Sequence, residues 1–127
     1  MRRDECRMMN EDKDLGPRTK MFARRIIKPY AALPKTDTVA QVLGKQMLRS
    51  GTSVGANHRE AHRARSKAEF VSKIGDCLKE ADETLYWLEL LMEESIVPAK
   101  RLQPLANEAN ELVAILTTIS KHSRGIT

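Results

Sequence analysis

His58 and His62 stand four residues apart, a spacing that puts two imidazoles on one face of a helix, where they could share a metal ion. Glu60 lies between them but points elsewhere on a helix, and the sequence places no third ligand. The expectation is therefore a pair of surface or interface histidines, with no metal. Cys77 falls on an apolar helical stripe, where a thiol packs as a small hydrophobe. No base is placed beside it, so a Cys-His nucleophile has no support. Glu80, Asp82 and Glu83 read as solvated surface carboxylates, without an acid–base pair. Nothing in the sequence reads as a catalytic signature or a cofactor motif.

The glycine-rich stretch RSGTSVGAN, residues 49–57, raises the question of a phosphate site. A phosphate-binding loop needs G-x-x-x-x-G-K-[ST] after a strand, so that backbone amides and the lysine reach the anion. Here Gly51 and Gly55 are one residue too close, no lysine follows Gly55, and no strand precedes. Met47, Val54 and Ala61 follow one another at steps of seven, so the apolar phase runs unbroken through the stretch. That continuity predicts a helix. Each internal glycine costs a helix about 1 kcal/mol relative to alanine. Close approach of another backbone offsets such a cost, so Gly44, Gly51 and Gly55 are expected to form a groove for a neighbouring helix.

The basic residues carry a different chemistry. From Leu15 to Lys73 there are 13 Lys/Arg against 3 Asp/Glu; from Ile74 to Thr127 there are 5 against 9. A basic half beside an acidic half suggests either a polyanion ligand or contact between the two halves, within one chain or between copies. The candidate phosphate-binding residues are Arg24, Arg25 and Lys28 in the first helical segment. The second segment and its exit add Lys45, Arg49, Arg59, Arg63, Arg65 and Lys67. No aromatic residues interleave with them, so contact would be to the sugar–phosphate backbone, without base readout. The alternative is pairing with Glu80, Glu83, Glu89, Glu93 or Glu94 of a neighbouring copy.

The elements that hold these residues are helical throughout. Residues 1–16 read as a polar, disordered tail ending in Leu-Gly-Pro. A helix over 18–33 carries Phe22, Ile26, Ile27, Tyr30 and Leu33, with a kink or weakening expected before Pro29. Thr36 or Asp37 caps a second helix to about residue 63, with Ala40, Leu43 and Met47 on its stripe. Ser66 and Glu69 form a capping box for a third, in which Glu69 reaches back to the Ser66 amide. Its stripe is Phe70, Ile74, Cys77, Ala81, Leu85 (or Thr84), Leu88 and Leu91. The fourth helix spans about 102–120 and buries Leu105, Ala109, Leu112, Leu116 and Ile119, with Pro104 in its first turn. These elements predict an all-α protein, an antiparallel up-and-down four-helix bundle over residues 17–122, followed by a tail over 123–127. Tyr86, Trp87 and Leu90 fall partly off the third stripe and are candidate anchors of a subunit interface. No apolar run is long enough to span a membrane, the first residues lack a secretory signal, and two cysteines form no disulfide framework, so a cytoplasmic protein is expected.

The stretch LGKQMLRSGTSVGANHREAHRARSKAEFVSKIGDCLKEADETLYWLELL, residues 43–91, closely resembles the bacterial four-helix-bundle family of 23S rRNA intervening-sequence proteins, also labelled "S23 ribosomal protein". FARRIIKPYAALPK and RLQPLANEANELVAILTTISK fit its first and last helices, so the resemblance covers about residues 18–122. Pro29, His58 and His62 depart from its usual pattern. The resemblance implies assembly into homopentameric rings. The accessory variability protein of diversity-generating retroelements has a similar fold, and forms a basic pentamer that binds nucleic acid and a reverse transcriptase. By that analogy the expected partners are further copies of this chain, RNA or DNA, and a reverse transcriptase. The family label reflects gene location and not ribosome membership. The expected function is a non-catalytic homo-oligomer that binds nucleic acid through a basic surface, with a pure protein-assembly module as the alternative.

Overall fold

The computed structural model describes residues 3–125, with side chains from residue 14 onward. It comprises α1 (Arg3–Ala32), α2 (Thr38–His62), α3 (Lys67–Glu93) and α4 (Ala99–Ser123). Successive helices pack side by side, and α1 closes the bundle against α4 with the slightest contact of the four seams. The described residues contain no strand. The architecture is the all-α four-helix bundle that the periodicity predicts. One continuous core runs along it, from Leu15 and Phe22 of α1 through Met47, Val54, Ile74 and Leu88 to Leu112 and Leu116.

Local chemistry sets the helix ends. Asp37 accepts from the Ala40 amide at 3.0 Å and caps α2. Ser66 accepts from the Glu69 amide at 3.1 Å and caps α3. The Glu69 carboxylate reaches past the expected Ser66 amide and accepts from that of Arg65 at 3.3 Å, so the box closes one residue early. The α3 terminus is a Schellman turn: the Ile96 amide donates to Leu91 and the Ser95 amide to Met92, both at 3.0 Å. Ser95 takes the left-handed position there, with φ 56°, where glycine is the unstrained choice.

RSGTSVGAN is helix, inside α2, as its unbroken apolar phase predicts. Several other expectations are corrected. α1 begins at Arg3, well before the predicted tail ends; no glycine or proline interrupts the sequence between residues 3 and 15, and Leu15 is buried in the core. The outermost residues of the two predicted tails, 1–2 and 126–127, lie outside the described residues. α1 continues through Pro29 to Ala32, so the proline falls in its last turns. Ile27 is 49% exposed and belongs to the surface, because Phe22 and Ile26 already fill the inward stripe. On α3 the buried position is Thr84, whose hydroxyl donates to the buried Ser50 Oγ of α2 at 2.9 Å. α4 starts at Ala99 and ends at Ser123, which puts Pro104 beyond the first turn. Its missing amide removes the helical bond to the carbonyl of Lys100, an exposed residue.

Candidate nucleic-acid interface

Close packing of α1 on α2 builds the surface. A Cβ placed on Gly55 would lie 3.1 Å from Thr19 Oγ1 and 3.4 Å from the Thr19 backbone carbon. One on Gly51 would lie 2.9 Å from Ile26 Cγ1, and one on Gly44 would run into Leu33 Cδ1 and lie 3.2 Å from Tyr30. All three glycines therefore face α1. The pairings run in opposite directions along the two helices, so α1 is antiparallel to α2. Thr19 is buried and its hydroxyl donates to the Leu15 carbonyl at 2.6 Å, which lets a polar side chain sit against Gly55 without an unsatisfied donor.

Outside this seam, α1 and α2 enclose a groove. Its floor is made of small residues, Gly16, Ala23, Thr52, Gly55 and Ala56, and its rim carries Lys20, Arg59 and Arg63. His58 and His62 line the same groove. His58 is 4% exposed, its ring lies 4.6 Å from that of His62, and His62 meets Phe70 edge-on at 6.2 Å. These imidazoles are packed against aromatic neighbours. The described residues contain no group of three or more His, Cys, Asp or Glu arranged to hold a metal ion. Cys77 is buried, with Sγ 3.4 Å from the Val54 carbonyl, deep in the α2–α3 seam.

The predicted cations are not equivalent. Arg59 and Arg63 are exposed on the groove rim and make no ion pair among the described residues. Lys20 joins them, and its exposure follows from the α1 register, which a single sequence does not reveal. Arg24 and Lys28 continue along the outside of α1, and Lys45 stands exposed on α2. Arg65 and Lys67 sit exposed at the α2–α3 turn, beyond the groove end. Arg25 turns toward α4, where its charge helps lower the Glu108 pKa. Arg49 is committed within the chain: it bonds Glu83 at 3.0 Å and Glu80 at 3.4 Å on α3, and hydrogen bonding to Glu83 raises its pKa. Lys73 similarly holds Glu60 at 2.8 Å, the one carboxylate on the groove rim. On the far seam Arg18 clamps Glu108 through two bonds of 2.8 and 2.7 Å and also bonds Glu111. Part of the basic-versus-acidic asymmetry is thus used inside one chain.

The other predicted surface lies across the bundle. Tyr86 is 56% exposed, and Trp87 and Leu90 are half-buried. The rings of Tyr86 and Trp87 meet edge-on at 5.1 Å. The Trp87 indole Nε1 is buried without an acceptor among the described residues. Since Ser50 lies level with Thr84, the antiparallel register places α2 residues near 42–46 beside Trp87 and Leu90. There Val42, and one turn away Val39, are 55% and 58% exposed. The site is an apolar surface, separate from the basic groove.

Residues 11–118 match the family model described as 23S rRNA-intervening sequence protein. The chain is also similar to a crystal structure at 1.70 Å of a protein with unknown function from the S23 ribosomal protein family of Bacteroides thetaiotaomicron VPI-5482. Identity is 40%, the TM-score is 0.79, and the match covers 87% of this chain and 97% of that one. No curated protein matches. No helix among the described residues is long and apolar enough to cross a membrane.

Proposed function

Because the chain belongs to the 23S rRNA-intervening sequence protein family, whose solved relative has no assigned function, we propose from its own surface that it is a non-catalytic, self-associating protein that binds nucleic acid. The observation that carries this reading is the groove rim of Lys20, Arg59 and Arg63, exposed and without ion pairs among the described residues. Surface cations that neutralise phosphates release condensed counterions, which drives binding to any polyanion of sufficient charge density. The absence of aromatic interleaving makes the contact one of charge, with no base readout. Assembly multiplies the effect, since each copy in a ring presents the same groove.

Self-association is assigned to the apolar surface of Val39, Val42, Tyr86, Trp87 and Leu90, where an unpaired indole N–H awaits an acceptor. The homopentameric ring follows from the family resemblance. A cytoplasmic location is part of the same reading.

The test is a gel-shift titration with RNA and DNA at low salt, comparing the wild type with the triple variant Arg59→Glu, Arg63→Glu and Arg65→Glu. Binding lost in a variant of unchanged helicity supports the reading. Undiminished binding in that variant, or none in the wild type, refutes it. The alternative is a pure assembly module, with the charge asymmetry of the chain used between subunits. It expects no binding at low salt, together with a mass by light scattering that falls as salt rises.

A further inference from the structure

The helix register places five cations on one track. Arg59 and Arg63 are one turn apart on α2. The next level along α2 is that of Gly55, against which Thr19 packs, so Lys20 of α1 stands there. One turn further lies Gly51, level with Ile26 and close to Arg24. The level between Gly51 and Gly44 belongs to Lys28, two residues before Tyr30. The order is therefore Arg63, Arg59, Lys20, Arg24, Lys28, at axial steps of about 6 Å, or about 24 Å of axial length, from the helical rise of 1.5 Å per residue, with the Arg59–Lys20 step widened by the helix separation of about 8–10 Å. That step is comparable to the spacing of consecutive phosphates along one strand.

All five residues are exposed. From Leu15 to its end α1 carries no Asp or Glu, and the only carboxylate within α2 is Glu60, which Lys73 holds. From Lys20 to Lys28 the track is thus free of carboxylates, while Asp14 of α1 stands exposed near the level of Arg59. The track also offers no exposed Phe, Tyr or Trp platform. Phe22 is buried and Tyr30 packs over Gly44, while His62, at the groove, is engaged at a 54° tilt by His58 and edge-on by Phe70. Tyr86 and Trp87 are on α3.

Single strands are held by base stacking on aromatic side chains in addition to charge. Without such a platform, a single strand gains only phosphate contacts and must be ordered on a rigid surface. A duplex is already stiff over about 150 base pairs and brings a higher charge density. Resting on the nucleic-acid reading above, we propose that the ligand of this track is a nucleic-acid duplex, bound along the backbone of one strand and independent of sequence.

The experiment measures fluorescence anisotropy with 20-base-pair DNA and RNA duplexes of two unrelated sequences, and with each of their separate strands, from low to moderate salt. Expected are duplex affinities about tenfold above those of the separate strands, alike for both sequences, with log K falling against log salt at a slope of about −4 to −5 for five contacts on B-form DNA. Lys20→Ala and Arg24→Ala should each lower the slope by about one unit for all sequences, while Lys100→Ala on α4 leaves it unchanged. Strands that bind as tightly as their duplex overturn the duplex inference and leave nucleic-acid binding standing. So does a preference for one duplex sequence over the other. If no probe binds, the function proposed above falls with it.

Discussion

Replacing Gly51 by alanine tests how closely α1 and α2 approach. In a helix with open space outside, glycine to alanine stabilises by about 1 kcal/mol, from backbone entropy and propensity. Here the new Cβ would meet Ile26 at Cγ1 (2.9 Å), Cγ2 (3.0 Å) and Cβ (3.3 Å). Ile26 is fully buried and branched at Cβ, so it has no flexible end to swing away. Overpacking of that kind costs about 1–3 kcal/mol, so the net effect is a loss of about 0–2 kcal/mol. Gly51→Leu should lose more. Gly75 on α3 supplies the control, since nothing lies within 4 Å of its would-be Cβ. Gly75→Ala should therefore gain about 0.5–1 kcal/mol. Thermal melts by circular dichroism at one fixed protein concentration separate the two, because self-association makes Tm concentration-dependent. The shifts should have opposite signs and amount to a few degrees per kcal/mol at this chain length. If Gly51→Ala raises Tm as much as Gly75→Ala does, the close approach of α1 to α2 is wrong.

Three further outcomes follow from named contacts. The Arg18 guanidinium holds the Glu108 carboxyl below its usual range, so this pair stabilises the fold above the unfolded carboxylate pKa of about 4.3, and that contribution is lost as pH falls through the depressed folded value. Glu108→Gln should then lower stability at pH 7 by about 1 kcal/mol, a figure discounted for the partial exposure of Arg18, and by much less near pH 2, as read from urea melts at both values. Ser95→Gly should raise stability by about 1 kcal/mol in the same assay, since glycine occupies the left-handed position without strain. Arg49→Ala should leave nucleic-acid affinity within about twofold, because Glu80 and Glu83 already hold that charge, whereas Arg59→Ala should reduce the salt slope by about one unit.

Much of the fold was legible because its helices are strictly periodic. Ala40, Met47, Val54 and Ala61 kept phase through a stretch whose composition resembles a loop, and all four are buried. The α4 stripe from Leu105 to Ile119 is buried at each of its five positions. The first helix was harder. Leu15 is a lone apolar residue at the end of a charged run, and only its docking on the core reveals that helix continues there. Ile27 has helical spacing with Tyr30 yet faces solvent, because a helix against two neighbours buries one stripe and Ile26 takes the inward place. The basic surface was legible as composition but not as geometry. Arg49 and Arg59 look alike in the sequence; the register between α2 and α3 sets Arg49 against Glu80 and Glu83, while Arg59 stays on the groove rim. Lys20 entered the rim through the α1–α2 register, which depends on which residue meets each glycine.

The most direct measurement of the central claim is the equilibrium affinity of the wild-type chain for a duplex of arbitrary sequence, followed across salt concentration. The account predicts binding at low salt that weakens linearly in log K against log salt, and whose slope shrinks when Arg59 and Arg63 are reversed to glutamate. Absence of binding at low salt, or an affinity indifferent to both salt and those two reversals, would contradict it.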